Sequence, residues 1–501
     1  MITWGISANS HDASLAVFNH QPWNQGSMEL LYASHSERYS GVKNDPHLND
    51  KLIQYGRQWG EPDEIIWYEK PFVKTLRQIK AGQGLKYFFK NNIRSYLRRY
   101  DLSVPVRFVS HHFAHGAAGY YSSPFDKACV VVIDSIGEFE TLTIWNAREN
   151  KLKKQYTQSY PHSVGLWYSA FTQRIGLKPQ EDEYILMGMA AYGDPMRFYK
   201  DIMDEFIDIV DADNSPRIKI KHNLHRGCLW WRPDLNSPQD LMDIAAAVQA
   251  IYEQILQTIS GWARRQSPSG NLVLMGGCAL NCAANSVIYK DWDNVWIMPN
   301  PGDSGNAVGA VLGYYETKIN WPGPYLGHNI EGEYPVEEVL QELLTNGICG
   351  VANGRAEFGP RALGHRSLLA DPRGEDIKDR VNNIKKRQLF RPFAPACLAE
   401  DTDKYFTGPT GPYMQYVSNC TDPGLPAITH GDGTSRVQTV SKYESQGFRK
   451  LLERWKEETG CSVLLNTSLN IKGKPIVNTE QDANDFAKYY GVKVCTAAVK
   501  T

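Results

Sequence analysis

The sequence has almost no net charge: 54 Lys and Arg stand against 55 Asp and Glu, for a total of −1. So balanced a chain carries no global field toward nucleic acid or an acidic membrane surface. No apolar run approaches the roughly 18 residues of a membrane-spanning helix, so no span is expected. The opening residues MITWGISANSHDAS have neither a basic region nor an apolar core, so no signal peptide is expected. The nine cysteines are odd in number and form no CxxC pair. This speaks against a disulfide framework and a structural zinc site, and for a reducing compartment, the cytoplasm by default. Internal repeats and low-complexity tracts are absent. What remains is a 501-residue chain of ordinary composition, too long for one core, with two or three domains expected.

Its most informative segment begins HHFAHGAAGYY, from His111. His111 and His115 are four apart, and on a helix such residues share a face. The following CVVVID reads as a buried strand that delivers Asp134 at its carboxyl end, where α/β sheets place ligands. Two imidazoles and a carboxylate suit a borderline divalent ion such as Fe, Mn or Zn. A second acid, Asp303, lies in PNPGDSGNAVGAVLG at a Gly-flanked strand-to-helix corner and is expected to aim at the same ion. Before these, Ile2–Ile6 and Ala13–Phe18 predict a hairpin whose tip carries Ser10, His11, Asp12 and Ser14. A neutral His11 could serve there as a general base. In NLVLMGGCALNCAAN, a strand runs into the Gly276-Gly277 turn and a helix bearing Asn281 and Asn285. Glycines at such a corner let backbone N–H groups approach a phosphate. Residues 74–99 hold eight cations and no acid, which predicts a helix pair broken at Gly82–Gly84 whose basic face either attracts an anionic substrate or nucleic acid or, as is more common, is simply solvated. Residues 196–238, with adjacent Trp230 and Trp231, read as a polar, irregular insertion.

From Pro335 onward the character changes. Arg355, Arg361, Arg366, Arg373, Lys385, Arg387 and Arg391 crowd a region rich in Gly, Pro and Phe. Guanidinium forks at this density suit phosphate or carboxylate oxygens. Arg436 follows in HGDGTSRVQTV, and LLNTSLNIKGKPIV ends a strand in Ser468 and Asn470, short polar side chains able to hold a phosphate.

Together these motifs resemble the O-carbamoyltransferases of the nodulation-factor, tobramycin and cephamycin type. The matching pieces are SHDAS, HHFAHGAAGYYSSPF, MGMAAYG, GGCALNCAAN, PGDSGNAVGA, EFGPRALGHRSLLADPR, FRPFAPA, DGTSRVQTV and NTSLNIKGKPIV, in the family's order and over nearly the whole chain. The resemblance implies an α/β protein: an actin-like, threonylcarbamoyl-transferase-type ATPase domain of duplicated α/β halves (1–322), a linker (323–334) and a YrdC-like α/β domain (335–501). The second domain would make carbamoyl-adenylate from carbamoyl phosphate and ATP, the latter with Mg2+. The first would transfer the carbamoyl group to a hydroxyl of a natural product, sugar or nucleoside. The ligands of the family's metal, Fe(II), would be His111, His115, Asp134 and Asp303. His11 and Asp12 would sit at the acceptor hydroxyl, and Gly276, Gly277 and Asn281 at the nucleotide. Lys385, Arg391, Arg436, Ser468, Asn470 and Arg361 would bind carbamoyl phosphate and ATP. A homodimer is a candidate assembly, and nucleic acid is not an expected partner. The rival readings are a tRNA threonylcarbamoyl-type transferase and a non-catalytic nucleotide-binding regulator. Two departures from the pattern stand out. Ile185 occupies a position where the family usually has Lys, and the chain is short with an abbreviated end.

Overall fold

The computed structural model describes residues 1–20, 28–80, 84, 86–212 and 215–498, and divides into two compact units. The first comprises Met1–Ser36 and Asn44–Trp321, and the second Glu37–Lys43 and Pro322–Thr501.

The first unit contains one topology twice. Strands β1 (Ile2–Ser7), β2 (Ser14–Asn19), β3 (Glu29–His35), β4 (Glu64–Trp67) and β5 (Val106–Phe108) form a sheet in the order 3-2-1-4-5. The first three strands pair antiparallel, while β4 and β5 run parallel to β1. Strands β6 (Lys127–Gly137), β7 (Glu140–Arg148) and β8 (Lys151–Ser159) repeat the meander. Past the hairpin of β9 (Ile207–Ala212) and β10 (Ser215–Ile220), β11 (Asn271–Met275) and β12 (Asn294–Trp296) add to β6 in parallel. Two halves of identical strand order are thus visible in the coordinates themselves.

Local sequence explains the central elements. The Val130–Ile133 run is buried on both faces, as a central strand requires. Helix Pro238–Gln266 starts at a capping box, with Ser237 and Asp240 satisfying each other's backbone N–H, and Pro238 at the first turn. Helix His111–Ser122 crosses helix Asn306–Tyr315 closely because Gly309 has no side chain: a Cβ there would lie 1.9 Å from the Ala114 carbonyl oxygen. The two elements that carry His111, His115 and Asp303 are therefore locked together by small residues.

Three expectations need correction. Residues 196–238 are not irregular: they hold helix Met196–Phe206 and the β9–β10 hairpin, whose alternating Ile218 and Ile220 are buried. The 74–99 segment forms three short helices, Pro71–Lys80, Tyr87–Lys90 and Ile93–Leu97. The Gly82 side of the expected break lies outside the described residues. Lys74 is not on a solvated face but buried in an ion pair with Glu69. Finally, 323–334 includes strand Tyr325–Ile330, which pairs antiparallel with Gly354–Glu357.

The second unit is built on a six-stranded sheet ordered Gln438–Val440, Ala394–Leu398, Val463–Ser468, Arg366–Ala370, Ile348–Ala352 and Val494–Cys495. One apolar cluster includes Ile348, Leu368, Val381 and Phe486, and a second joins Val339, Leu369, Phe448 and Trp455. Segment Glu37–Lys43 reaches into this unit, where Arg38 donates to the carbonyl of Gly359 at 3.3 Å.

Candidate functional site

In the first unit, His111, His115, Asp134 and Asp303 each present one ligand atom, and these atoms lie within 4.8 Å of one another. The His111 and His115 Nε2 atoms are 3.1 Å apart. His111 Nε2 lies 3.4 Å from an oxygen of Asp134 and 3.4 Å from one of Asp303; His115 Nε2 is 3.3 Å from the same Asp303 oxygen. Helix His111–Ser122 supplies the imidazoles on one face, as the i, i+4 spacing dictates. Asp134 sits where β6 leaves its ladders: pairing with β11 ends at Val132, and the β7 register shifts between Ile133 and Gly137. Asp303 opens the single 3-10 turn before helix Asn306–Tyr315.

The surroundings hold these groups in place. The Gly277 amide donates to Asp134 Oδ1 at 3.1 Å, and the Gly276 amide to the Pro301 carbonyl at 2.9 Å. The Pro301 carbonyl also lies 3.1 Å from His115 Nδ1, which places the hydrogen on that nitrogen and leaves Nε2 free to bind. Gly276 adopts φ +91°, and a Cβ there would sit 2.1 Å from the Ile133 carbonyl oxygen, so the turn demands glycine. Gly137 likewise leaves room for a ligand ring, since its Cβ would fall 2.3 Å from His111 Cδ2. Tyr68 packs its ring 5.3 Å from that of His111.

Two buried carboxylates this close repel each other and are stable only beside a cation. Burial works against the His111 imidazolium, yet Asp303 and Asp134 outweigh it and hold His111 well above its ordinary pKa. Burial and mutual repulsion push the two acids up, but the imidazoles prevail, leaving Asp134 lowered and Asp303 lowered well below its usual range. The N2O2 donor set, the orienting Pro301 carbonyl and the two converging acids fit a divalent ion.

The β1–β2 hairpin tip lies beside this cluster. Ser304 Oγ is 3.4 Å from Asp12 Oδ2, and Ser14 donates to the Ser304 carbonyl at 2.6 Å. Asp12 adopts φ +59° and lies 3.9 Å from His35. His11 Nε2 contacts the Gln180 carbonyl at 3.2 Å. Burial lowers the His11 pKa, but Asp12 and Asp303 raise it further, for a net rise. Asn281 is not on the helix face expected of it. It is the N-cap of Cys282–Ile288, accepting from the Ala284 amide at 3.0 Å and pairing with Gln249. Ile185 is buried, so no ammonium enters from that position.

In the second unit, Lys385, Ser468 and Asn470 come together. Lys385 Nζ donates to Asn470 Oδ1 at 2.9 Å, to the Asn470 carbonyl at 3.0 Å and to the Ser468 carbonyl, and Ser468 Oγ donates to Asn470 Oδ1 at 2.6 Å. Burial first, then the charges of Arg387, Arg391 and Lys43, drive Lys385 well below its ordinary pKa, and no acid offsets them. Arg391 is buried, Arg361 is half-buried, and the Nε of Arg436 is buried with no hydrogen-bond partner among the described residues.

Not every arginine of the cluster serves it. Arg366 is fully buried and donates to five backbone carbonyls, those of His328, Asn353, Gly354, His365 and Asn478. Arg373 pairs with Asp371, and Arg355 reaches the Leu326 carbonyl. Arg366 holds the fold, because backbone carbonyls already occupy the donors that an anion would need, and Arg373 is taken up by the Asp371 carboxylate. Arg366→Leu is expected to destabilise the protein by at least about 3 kcal/mol, since several buried carbonyls lose their donors. Denaturant unfolding checks this. Sequence reasoning missed Lys43, His35 and Tyr68, none of which lies in a recognisable chemical motif, and Ser304, which lies beside Asp303 in PGDSGNAVGA but offers only a common hydroxyl.

Residues 64–312 match the family described as Carbamoyltransferase N-terminus and residues 340–497 that described as Carbamoyltransferase C-terminus. An uncharacterized protein of Synechocystis is 32% identical, over 96% of this chain and 93% of that protein. Nodulation protein NolNO of Sinorhizobium fredii is 30% identical, over 91% and 74%. The 3'-hydroxymethylcephem-O-carbamoyltransferase of Amycolatopsis lactamdurans is 28% identical, over 96% and 95%. Likeness to solved structures is remote: component A of (R)-2-hydroxyglutaryl-CoA dehydratase from Acidaminococcus fermentans shares 12% identity over 63% of this chain and 99% of that one, at a TM-score of 0.36. The two family matches and the relatives at 30% identity or more agree that this chain belongs to the carbamoyltransferase family and is an enzyme of that family.

Proposed function

We propose that the chain is an ATP-dependent O-carbamoyltransferase. Its second unit, read as YrdC-like, makes carbamoyl-adenylate from carbamoyl phosphate and ATP-Mg2+. Its first unit, read as actin-like, transfers the carbamoyl group to a hydroxyl of a small-molecule acceptor. The observation that carries this reading is the convergence of His111, His115, Asp134 and Asp303 on one small volume in a chain of this family.

Carbamate is a weak electrophile, and joining it to AMP supplies a good leaving group. Carbamoyl phosphate and water yield carbamate and phosphate; a carbamate oxygen then bonds to the α-phosphorus of ATP as the bond to pyrophosphate breaks and pyrophosphate leaves. The Lys385, Arg391 and Arg436 charges, with Ser468 and Asn470, would hold the phosphates and oppose the charge developing on them. In the second step the acceptor oxygen bonds to the carbamoyl carbon, AMP departs, and His11 takes the hydroxyl proton while Asp12 orients the acceptor. A divalent ion on His111, His115, Asp134 and Asp303, iron in the family, would act as a Lewis acid toward the carbamoyl oxygen or a phosphate. Release of AMP, pyrophosphate and phosphate that depends on carbamoyl phosphate tests the reading, together with mass spectrometry for a carbamoylated acceptor. ATP turnover indifferent to carbamoyl phosphate would reject it.

The site also sets a pH dependence. His111 is held protonated well above its usual range, and a metal must displace that proton. Metal affinity is therefore expected to rise with pH across neutrality, with proton release on binding. Titration calorimetry in buffers of different ionisation enthalpy checks this; affinity independent of pH would contradict it.

A further inference from the structure

We propose that Arg77 recognises an oxyanion on the acceptor, so that the acceptor is a hydroxylated small molecule carrying a carboxylate or a phosphate. This rests on the reading that the acceptor hydroxyl is carbamoylated beside the His111–Asp303 cluster. Helix Pro71–Lys80 is pinned at the active-site end of the first unit by Lys74, whose buried ammonium donates to Glu69 at 2.7 Å and to the Asn9 carbonyl at 3.3 Å. Asn9 belongs to the hairpin tip that carries His11 and Asp12. Three residues further along the helix, on the same side, stands Arg77.

Arg77 is half-buried, and its Nε is wholly buried with no hydrogen-bond partner among the described residues. Glu69, the acid whose charge reaches Arg77, is taken up by Lys74. Burial lowers the Arg77 pKa, and the charge of Glu69 and the phenols of Tyr160, Tyr87 and Tyr68 oppose that only in part. Tyr160 itself is held by Asn223, its hydroxyl 3.0 Å from Asn223 Oδ1. The Tyr68 ring rests on that of His111, 5.3 Å between centroids. Thus a partly desolvated guanidinium, whose nearest acid is already paired with Lys74, lies on the helix that Lys74 ties to the hairpin tip. A buried cation is costly unless paired. A planar fork of N–H donors matches the two oxygens of a carboxylate or phosphate. An acceptor anchored there by its anion would extend past Tyr68, with its hydroxyl toward His11 and Asp303.

The test uses the full-length protein and three probes of one skeleton: glycerol, D-glycerate and glycerol 3-phosphate. Phenylglyoxal modification of Arg77, read by peptide mass spectrometry, is expected to slow with the glycerate or the phosphate and not with glycerol. Protection by one anion only identifies the oxyanion. Equal labelling under all three conditions, or equal slowing at the exposed Arg217, overturns the proposal. This arm needs no turnover, so its failure is separable from failure of the carbamoyl-transfer reading. In a second arm, Arg77→Gln is expected to raise KM for an anionic acceptor about tenfold, with a smaller change in kcat, while KM for its neutral analogue holds. Arg77→Lys should recover part of the loss. Equal loss for both acceptors would assign Arg77 a structural role instead.

Discussion

Replacing His111 and His115 together with alanine is expected to strip the protein of divalent metal and lower carbamoyl transfer about a thousandfold or more, while pyrophosphate release continues. The reason is geometric. The two Nε2 atoms are half of a donor set whose other half is a pair of buried carboxylates. With the imidazoles gone, Asp134 and Asp303 keep their mutual repulsion and lose what lowers their pKa, so at least one takes up a proton. Protonated acids and empty imidazole sites hold a cation poorly. Because the alanines also open space beneath the Gly137 turn, Asp303→Asn serves as a second, nearly isosteric variant. Metal analysis, thermal unfolding and separate assays of pyrophosphate release and transfer read the outcome. Loss of both chemical steps in a folded variant would mean that the two units do not divide the work as proposed.

The second large effect is expected in the other unit. Arg391→Ala should lower carbamoyl-phosphate-dependent pyrophosphate release by about two to three orders of magnitude and leave metal content unchanged. Lys385 is already crowded by Arg387, Arg391 and Lys43, with no carboxylate offsetting them. Such a cluster is unfavourable without a polyanion and favourable with one. Removing Arg391 relieves the repulsion in the empty protein and weakens the hold on charge developing at the phosphates. Thermal unfolding of the variant separates a loss of activity from a loss of folding. Normal pyrophosphate release by Arg391→Ala would remove Arg391 from the adenylation site.

Much of this was legible in local pattern. The HxxxH spacing, the apolar run before Asp134 and the Gly-flanked Asp303 each identify a side chain and the element that presents it. The cation-rich segments were legible as chemistry but not as roles. Arg366 and Lys385 look alike in a sequence, yet one is saturated by five carbonyls and the other is ringed by cations. Asn281 reads as a ligand residue but caps a helix. The 74–99 charges read as a solvated face, and Lys74 is instead sealed against Glu69. In each case the partner is distant in sequence or is a backbone group, and neither leaves a mark in spacing or periodicity.

Residue order alone determined which elements form and which chemical groups each one offers, because helix faces, strand ends and caps depend on neighbours within a few positions. The meeting of those groups was decided by tertiary structure. Asp134 reaches the two histidines because the β6 register breaks after Ile133, and Asp303 joins them because Gly309 lets two helices touch. Lys43 arrives near Lys385 because a seven-residue excursion of the early chain packs into the second unit. Such long-range contacts follow from sheet pairing and close packing of the whole chain, which no local window of sequence contains.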